Sequence, residues 1–360
     1  MATEILQRAA AMEGDGSYNH HGQLPAAGAA LAIPFLARAI GEVPFSADDE
    51  SVVIVDYGSS QGKNSLAPMR IAIDAVRART GKDRAILVYH EDQPSNDFNS
   101  LFELLDQNPD RYCLDDPQVF PCAIGRSFYE NVLPANSVHI AWSAYAAMWV
   151  SRVPALIPGH FFFARSSGEV RAAFEQQGAQ DWESFLRLRA GELRPGGCLV
   201  VCMPGADAAG VSVFEGILDH ANTELREMVD EGVISAEERR RMVLNVWPRR
   251  MADLVAPFGK RGCFETLILR HAETGIVRDA AWEDFEGDRD AQALAKKRAM
   301  FFRSIFTPTL AAALDRVRGG DPNAYAAFAD RLTRGLEQRL RTKPTHLHSL
   351  VQILEVAKAN

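Results

Sequence analysis

The sequence predicts an α/β protein with a mostly parallel sheet, helices on both faces, and a separate helical layer. Three observations predict it. Strand-length apolar runs alternate with helix-length stretches between residues 51 and 204. A glycine-bearing loop, VVIVDYGSSQGKNS, joins the first such run to the first such helix. After Pro204 the pattern becomes helical and charged, and strand-like runs return only at FETLILR and HLHSLVQILEV.

The elements follow in order. The Ala-rich stretch 26–37 reads as a buried helix. SVVIVDY (51–57) is a strand, and Ser65 to Arg79 a helix with Leu66, Met69, Ile73 and Val76 on one side. AILVYH (85–90) is the second strand, followed by a helix from Phe98 to Asp106. VFPCAI (119–124) and SVHIAW (137–142) are two more strands. A long helix spans 169–193, stopped by Pro195-Gly196-Gly197, and CLVVCMP is the next strand. Residues 210–243 and 290–341 are helical, FETLILR (264–270) is a strand, and 346–356 is a closing strand or strand pair. This gives a core of 1–203, 263–274 and 345–360, the first part including an N-terminal lid segment. A helical cap of 204–262 and 275–344 lies over the carboxyl ends of the strands, where open α/β sheets bind ligands.

Composition narrows the function. A net charge of −8 over 360 residues lacks the basic face a nucleic-acid binder needs. The segment MATEILQRAAAMEGDG has no signal-peptide core, and the apolar run 26–37 is too short to span a bilayer. Cys113, Cys122, Cys198, Cys202 and Cys263 form no C-x-x-C pair, and His and Cys are not clustered at ligand spacing, so no metal site is expected. The chain reads as cytoplasmic and reduced, with no nucleic-acid or membrane partner.

The glycine loop fails two familiar tests. A phosphate loop needs four residues between its glycines and a hydroxyl after the lysine. Here three residues separate Gly58 from Gly62, and Asn64 follows Lys63. A dinucleotide loop needs a second glycine where Ser60 stands and an acid about 20 residues on, but Glu91-Asp92 lies more than 30 residues beyond Gly58. S-adenosylmethionine, a sulfonium without phosphate, fits better. Asp56 at the strand end can meet the ammonium side of its methionine, the glycines allow close backbone approach, and a carboxylate after the second strand can accept both ribose hydroxyls. On this loop alone, a tight turn beside two surface acids is an equal alternative.

The loop and four further stretches, in order, resemble the plant SABATH methyltransferases, enzymes of the salicylate, jasmonate and theobromine type. DYGSSQGKNS is similar to their D-L-G-C-S-S-G-P-N-T, and HEDQPSNDFNSLF to N-D-L-P-x-N-D-F-N-x-L-F. GRSFYENVLPANSVHIAWSAYAAMWVSRVP resembles G-S-F-Y-x-R-L-F-P-x-x-S-L-H-F-x-H-S-S-Y-S-L-x-W-L-S-x-V-P, and EGVISAEERRRMVLNVW and GCFETLIL extend the likeness. The resemblance covers nearly the whole chain. It implies a Rossmann-like class I methyltransferase sheet of about seven strands, mostly parallel, under an α-helical cap.

The resemblance also implies roles. Asp56, Gly58 and Asn64 would line the methionine end of the cofactor. Asp92, with Gln93 beside it, would hold the ribose, and Ser127 and Phe128 would bracket the adenine. Ser17, Tyr18 and Gly22 would close over the cofactor from the N-terminal segment, Tyr18 also reaching the substrate. Trp149 would donate its indole N–H to an acceptor carboxylate, with Tyr145, Met148, Ile217 and Leu218 as pocket wall. For Phe128 the plain alternative is core, for Ser127 a helix N-cap, and for Tyr145, Met148 and Trp149 a shared apolar helix face. The family's carboxylate-binding Gln falls on Pro25, and Gln23 is the nearby substitute. A Leu at 218 where the family often has Trp implies a different pocket shape.

The implied reaction is methyl transfer to the carboxylate of a small aromatic or apolar acid, giving a methyl ester and S-adenosylhomocysteine. It needs positioning and no catalytic base, because a carboxylate is ionised at neutral pH. The alternatives are N-methylation of a ring nitrogen, a cofactor-binding sensor without turnover, and a nicotinamide-dependent oxidoreductase. A homodimer is expected, since dimers are common in the family.

Overall fold

The computed structural model describes residues 11–211, 214–321 and 323–360; the first ten residues of the expected lid segment lie outside it. Eight strands form one sheet in the order β3-β2-β1-β4-β5-β8-β7-β6. They are β1 (Ser51–Tyr57), β2 (Ala85–Asp92), β3 (Val119–Gly125), β4 (Val138–Ala144), β5 (Leu193–Pro204), β6 (Cys263–Phe264), β7 (Leu267–Val277) and β8 (Ser349–Lys358). The pairs among β1 to β5 are parallel, and β8, β7 and β6 add on antiparallel.

Register follows the apolar pattern. Val52 and Ile54 of β1 face one way with Ile86, Val88, Ile140, Val200 and Cys202. Val55 and Tyr57 face the other way with Ala141, Leu199 and Val201. On the first face lie α2 (Gln23–Ala30), α3 (Ile33–Glu42) and α4 (Leu66–Thr80), reached through the short α1 (Ser17–His21). After α5 (Phe98–Gln107), the 25-residue α6 (Gly168–Glu192) covers the second face, where Trp182, Phe185 and Leu186 are fully buried. Each such apolar side chain contributes about 1.5–3 kcal/mol.

The long apolar N-terminal helix expected over 26–37 is two helices, because Pro34 sits in the first turn of α3 and the chain bends 44° before it. No single helix among the described residues is long and apolar enough to cross a membrane. FETLILR is not one strand. Phe264 pairs with Leu267, and Glu265 takes a left-handed φ of 51° in the hairpin between β6 and β7.

The helical layer contains α7 (Glu215–Asp230), α8 (Ala236–Arg241), α9 (Met251–Val255), α10 (Ala280–Asp288), α11 (Ala291–Ala311), α12 (Asp315–Arg318) and α13 (Ala324–Thr342). The turn between α7 and α8 places Gly232 at φ 72°, and the Ser235–Glu238 capping box restarts the helix. Its own core joins Leu225 and Met228 to Phe302, Leu310, Leu332 and Leu336, and takes in Phe161, Phe162 and Phe163 from the chain after β4. Buried Glu224 of α7 lies against Gly335 of α13 and accepts hydrogen bonds from Arg331 and from Arg339 Nε, the latter at 2.8 Å.

Candidate active site

The sheet changes direction between β1 and β4, the place where an open sheet leaves a crevice at its carboxyl ends. The loop after β1 fills one side of that crevice. Gly58 has φ 82°, and a Cβ there would lie 2.1 Å from that of Ala146. Only glycine lets this backbone approach so closely. The loop is bound to β2: Gly58 and Ser59 N–H donate to the Glu91 carbonyl at 2.8 and 3.0 Å. Ser60 and Gln93 N–H donate to the two oxygens of Asp92, each at 2.7 Å. Burial nonetheless pushes the Asp92 carboxyl up from 3.8 to about 6.

Asp56 lies just below, buried, accepting from Ser65 Oγ, with His90 Nδ1 3.6 Å away. It borders a small cleft shared with Gly58, Asn64 and Tyr145. Asn64 donates to the Gly22 carbonyl at 3.1 Å and lies 3.5 Å from the Tyr18 hydroxyl. Burial raises the Tyr18 phenol above its ordinary value. Ser17 points elsewhere: its Oγ donates to Glu13 at 2.8 Å and lies 3.0 Å from Ser304 Oγ. Glu13 in turn accepts from Arg303 and Tyr325 of the cap, while Gln61 donates to its carbonyl. Residues 13–22 thus form a strap from the glycine loop to α11.

Ser127 and Phe128 follow β3 and line an outer recess with Gln93; Phe128 also lines the central cavity. Ser127 Oγ accepts from Tyr129 N–H at 3.2 Å. This segment is held from below by α6. Arg189, fully buried, donates to the Phe128 and Glu130 carbonyls at 2.8 and 3.1 Å and pairs with Glu192 at 2.9 Å. Glu192 accepts from Val132 N–H at 2.6 Å and from the Tyr57 hydroxyl.

On the far side, Tyr145, Met148 and Trp149 form a turn after β4, not a helix face. Tyr145 has φ 60°, and its hydroxyl rests over Gly28, where a Cβ would be 1.9 Å away. Buried Arg249 donates to the Ala147 carbonyl at 2.6 Å, and Trp247 N–H to that of Met148 at 2.8 Å, so the turn is fixed from the cap. Burial lowers the Arg249 guanidinium below its ordinary value.

The central cavity therefore meets Gly58, Ser60 and Asp92 on one side and Tyr145, Met148 and Trp149 on the other. Phe214, Phe301, Ile305 and Phe306 close it from the helical layer. Ile217 and Leu218, one turn further along α7, are buried in that layer's core. Gln23 is exposed, its amide donating to the His20 carbonyl; it lines a neighbouring cavity, and Pro25 faces the central one. Sequence reasoning missed the aromatic wall and both buried arginines. An Arg-x-x-Glu pair on the apolar side of a long helix was the available signal for Arg189 and Glu192.

Buried hydroxyls of Ser59, Ser60 and Tyr145 have no partner within the protein. Buried polar groups are costly when unpaired. With the acceptor capacity left on Asp92, they fit a ligand carrying a ribose diol and a polar amino-acid end. S-adenosylmethionine is such a ligand, and the fold and site define a class I S-adenosylmethionine-dependent methyltransferase.

The comparisons carry this further. Residues 7–354 match the family model described as SAM dependent carboxyl methyltransferase. The chain is 30% identical over 275 residues to farnesoic acid carboxyl-O-methyltransferase of Arabidopsis thaliana, covering 70% of this chain and 75% of the relative. It is 26% identical over 346 residues to gibberellic acid methyltransferase 1 of the same plant, covering 87% and 89%. Its fold is that of loganic acid methyltransferase solved with S-adenosylhomocysteine, at a TM-score of 0.74 and 21% identity, over 97% and 99% of the two chains. This chain belongs to the carboxyl methyltransferase family, the SABATH methyltransferases. It is an S-adenosylmethionine-dependent enzyme that methylates the carboxylate of a small acid.

Proposed function

We propose that the acceptor is a small, apolar or aromatic acid, held with its carboxylate at Trp149 and the adjoining part of its body against Phe214, Phe301 and Phe306. One observation carries this reading: among the described residues lining the cavity, Asp92 alone is charged, and it lies on the side of the glycine loop. An acid entering such a cavity gives up its water and has only neutral donors there, so its charge is balanced by the sulfonium of the cofactor.

Bound S-adenosylmethionine supplies an electrophilic methyl group with a neutral thioether as leaving group. A carboxylate oxygen forms the new O–C bond as the S–C bond breaks, and no proton moves. The protein's part is placement. Asp92 accepts from the ribose, the Gly58 loop fits the methionine end beside Asp56, and Phe128, braced by Arg189, covers the adenine with Ser127. The Trp149 indole donates to the acceptor, Tyr18 and Tyr145 offer hydroxyls nearby, and the strap excludes water. Such alignment supplies up to roughly 7–11 kcal/mol.

The molecule is proposed to divide into the sheet core and a cap, and to act as a homodimer in the cytoplasm, as expected of the family. Incubating the purified protein with a labelled methyl donor and a panel of benzoic, cinnamic and phenylalkanoic acids, with xanthines added as nitrogen acceptors, tests the function. The expected product is a base-labile methyl ester. Label found only on base-stable ring nitrogen of heterocycles, with all acids unmodified, would overturn it. Light scattering tests the dimer.

A further inference from the structure

Phe301 has a cavity on each side. Its ring closes the central cavity together with Phe214 and Phe306, at centroid distances of 5.5 and 6.3 Å. Behind it lies a second chamber, bounded by α2, by the start of α10, and by Lys297 and Arg298 of α11. The volumes differ: ≈ 80 Å³ in front of Phe301 and ≈ 410 Å³ behind it. A cavity of about 150 Å³ takes up one benzene. The front cavity therefore admits an acid of any length only if a wall moves, and Phe301 is a wall with open volume at its back.

The chamber's own chemistry says what could enter. Its charged groups are already paired. Asp279 and Arg298 form a buried ion pair, and Asp279 also accepts from Leu347 N–H at 2.9 Å. Lys297 meets Asp284 at 2.9 Å, and Arg278 pairs with Glu283. Between them the lining is Leu24, Ala27, Ala280, Ala281 and Phe301, with His21 and Gln23 at the end next to α1. Among the described lining residues each Asp, Lys and Arg has an ionic partner, and burial holds the His21 imidazole towards its neutral form, so an apolar segment fits best.

We infer that the chamber behind Phe301 is a distal acceptor subsite for the hydrocarbon end of an elongated carboxylic acid, and that Phe301 is the side chain that swings to join it to the reaction cavity. The inference rests on the carboxyl-methylating reading above and adds the length of the acid to it. The acceptor lies with its carboxylate at Trp149, passes Phe301, and ends between α2 and α10. Phe301 thereby sets how strongly the enzyme favours long acids over short ones.

The test uses the full chain and two acids that differ only in reach, phenylacetic and 6-phenylhexanoic. The quantity read is the ratio of kcat/KM for the long acid to that for the short one. Phe301→Ala removes the partition and should raise the ratio by about tenfold; Ala281→Trp fills the chamber and should lower it by about tenfold. Phe301→Leu, a milder change, should move the ratio in the same direction as Phe301→Ala and serves if the larger truncation fails to fold. Calorimetric binding of S-adenosylhomocysteine checks that each variant keeps its cofactor site. Ratios unchanged in all folded variants would overturn the subsite. If neither acid is methylated, both lie outside the acceptor range, a failure distinct from that of the chamber. The chamber is then judged on the ratio of Kd values for the same acids on the S-adenosylhomocysteine-bound protein, where an unchanged ratio or no binding of the long acid overturns it.

Discussion

The two walls of the cavity are made in opposite ways. The cofactor wall is backbone: N–H groups of Gly58, Ser59, Ser60 and Gln93 bound to Glu91 and Asp92, with side chains confined to a few positions. The acceptor wall is side chain: Trp149, Phe214, Phe301 and Phe306, gathered from three distant stretches and held by ring contacts of 5.5 to 6.3 Å. A wall of backbone hydrogen bonds tolerates little movement, and every member depends on the others. A wall of rings can be resized one residue at a time. On the function proposed above, chemistry belongs on the first and specificity on the second.

That contrast can be broken most severely beneath the cofactor wall. Arg189→Met leaves Glu192 buried without its counter-charge and frees the carbonyls of Phe128 and Glu130. A loss of about 3–5 kcal/mol of stability is expected in urea denaturation. Adding Glu192→Gln should recover part of it, and no recovery would mean the pair is not the reason. Next is Asp92→Ala. Losing two hydrogen bonds to a charged acceptor should weaken S-adenosylhomocysteine about a hundredfold or more by calorimetry. Unchanged affinity would move the ribose elsewhere.

The same carboxyl gives a pH test. Its value of about 6 in the free protein lies above the ordinary 3.8, so the proton competes with the ribose for it. Affinity for S-adenosylhomocysteine should fall about tenfold per unit below pH 6 and stay flat above. The sign for stability is opposite. The protonated form suits the folded state, so Asp92 favours folding below about pH 4, and that contribution is lost as pH rises through 6. Smallest is the acceptor wall: Trp149→Phe should lower kcat/KM for the acid about tenfold and leave cofactor affinity alone. A fall in cofactor affinity instead would show the indole to be a support and would erase the distinction between the walls.

The same asymmetry decided what could be read in advance. The proposed cofactor wall comes from contiguous runs, DYGSSQGKNS and HEDQPSNDFN, so its residues stood together in linear order. Strands β1, β2, β4 and β5 were visible too as apolar runs, and burial is unbroken through most of β4 and β5 because both faces are covered there. The acceptor wall was not. Phe214 and Phe301 meet only because α7, α11 and α13 pack together, and a Phe on a cap helix looks the same whether it lines a cavity or fills a core. Arg249 gave no local sign, since its partners are the carbonyls of Ala147 and Gly178, about 100 and 70 residues away. The β6–β7 hairpin was hidden because Glu265, not a glycine, takes the left-handed turn position.

Strand β8 lies between β5 and β7, although it comes last in the chain. A chain made from its N-terminus can assemble β1 to β5 in turn, but β7 has no edge to join until β8 arrives. The outer sheet therefore stays unformed until synthesis has passed Ser349–Lys358, while the apolar edge of β5 stands open. This enzyme therefore carries an open strand edge beside β5 for as long as β8 is unmade.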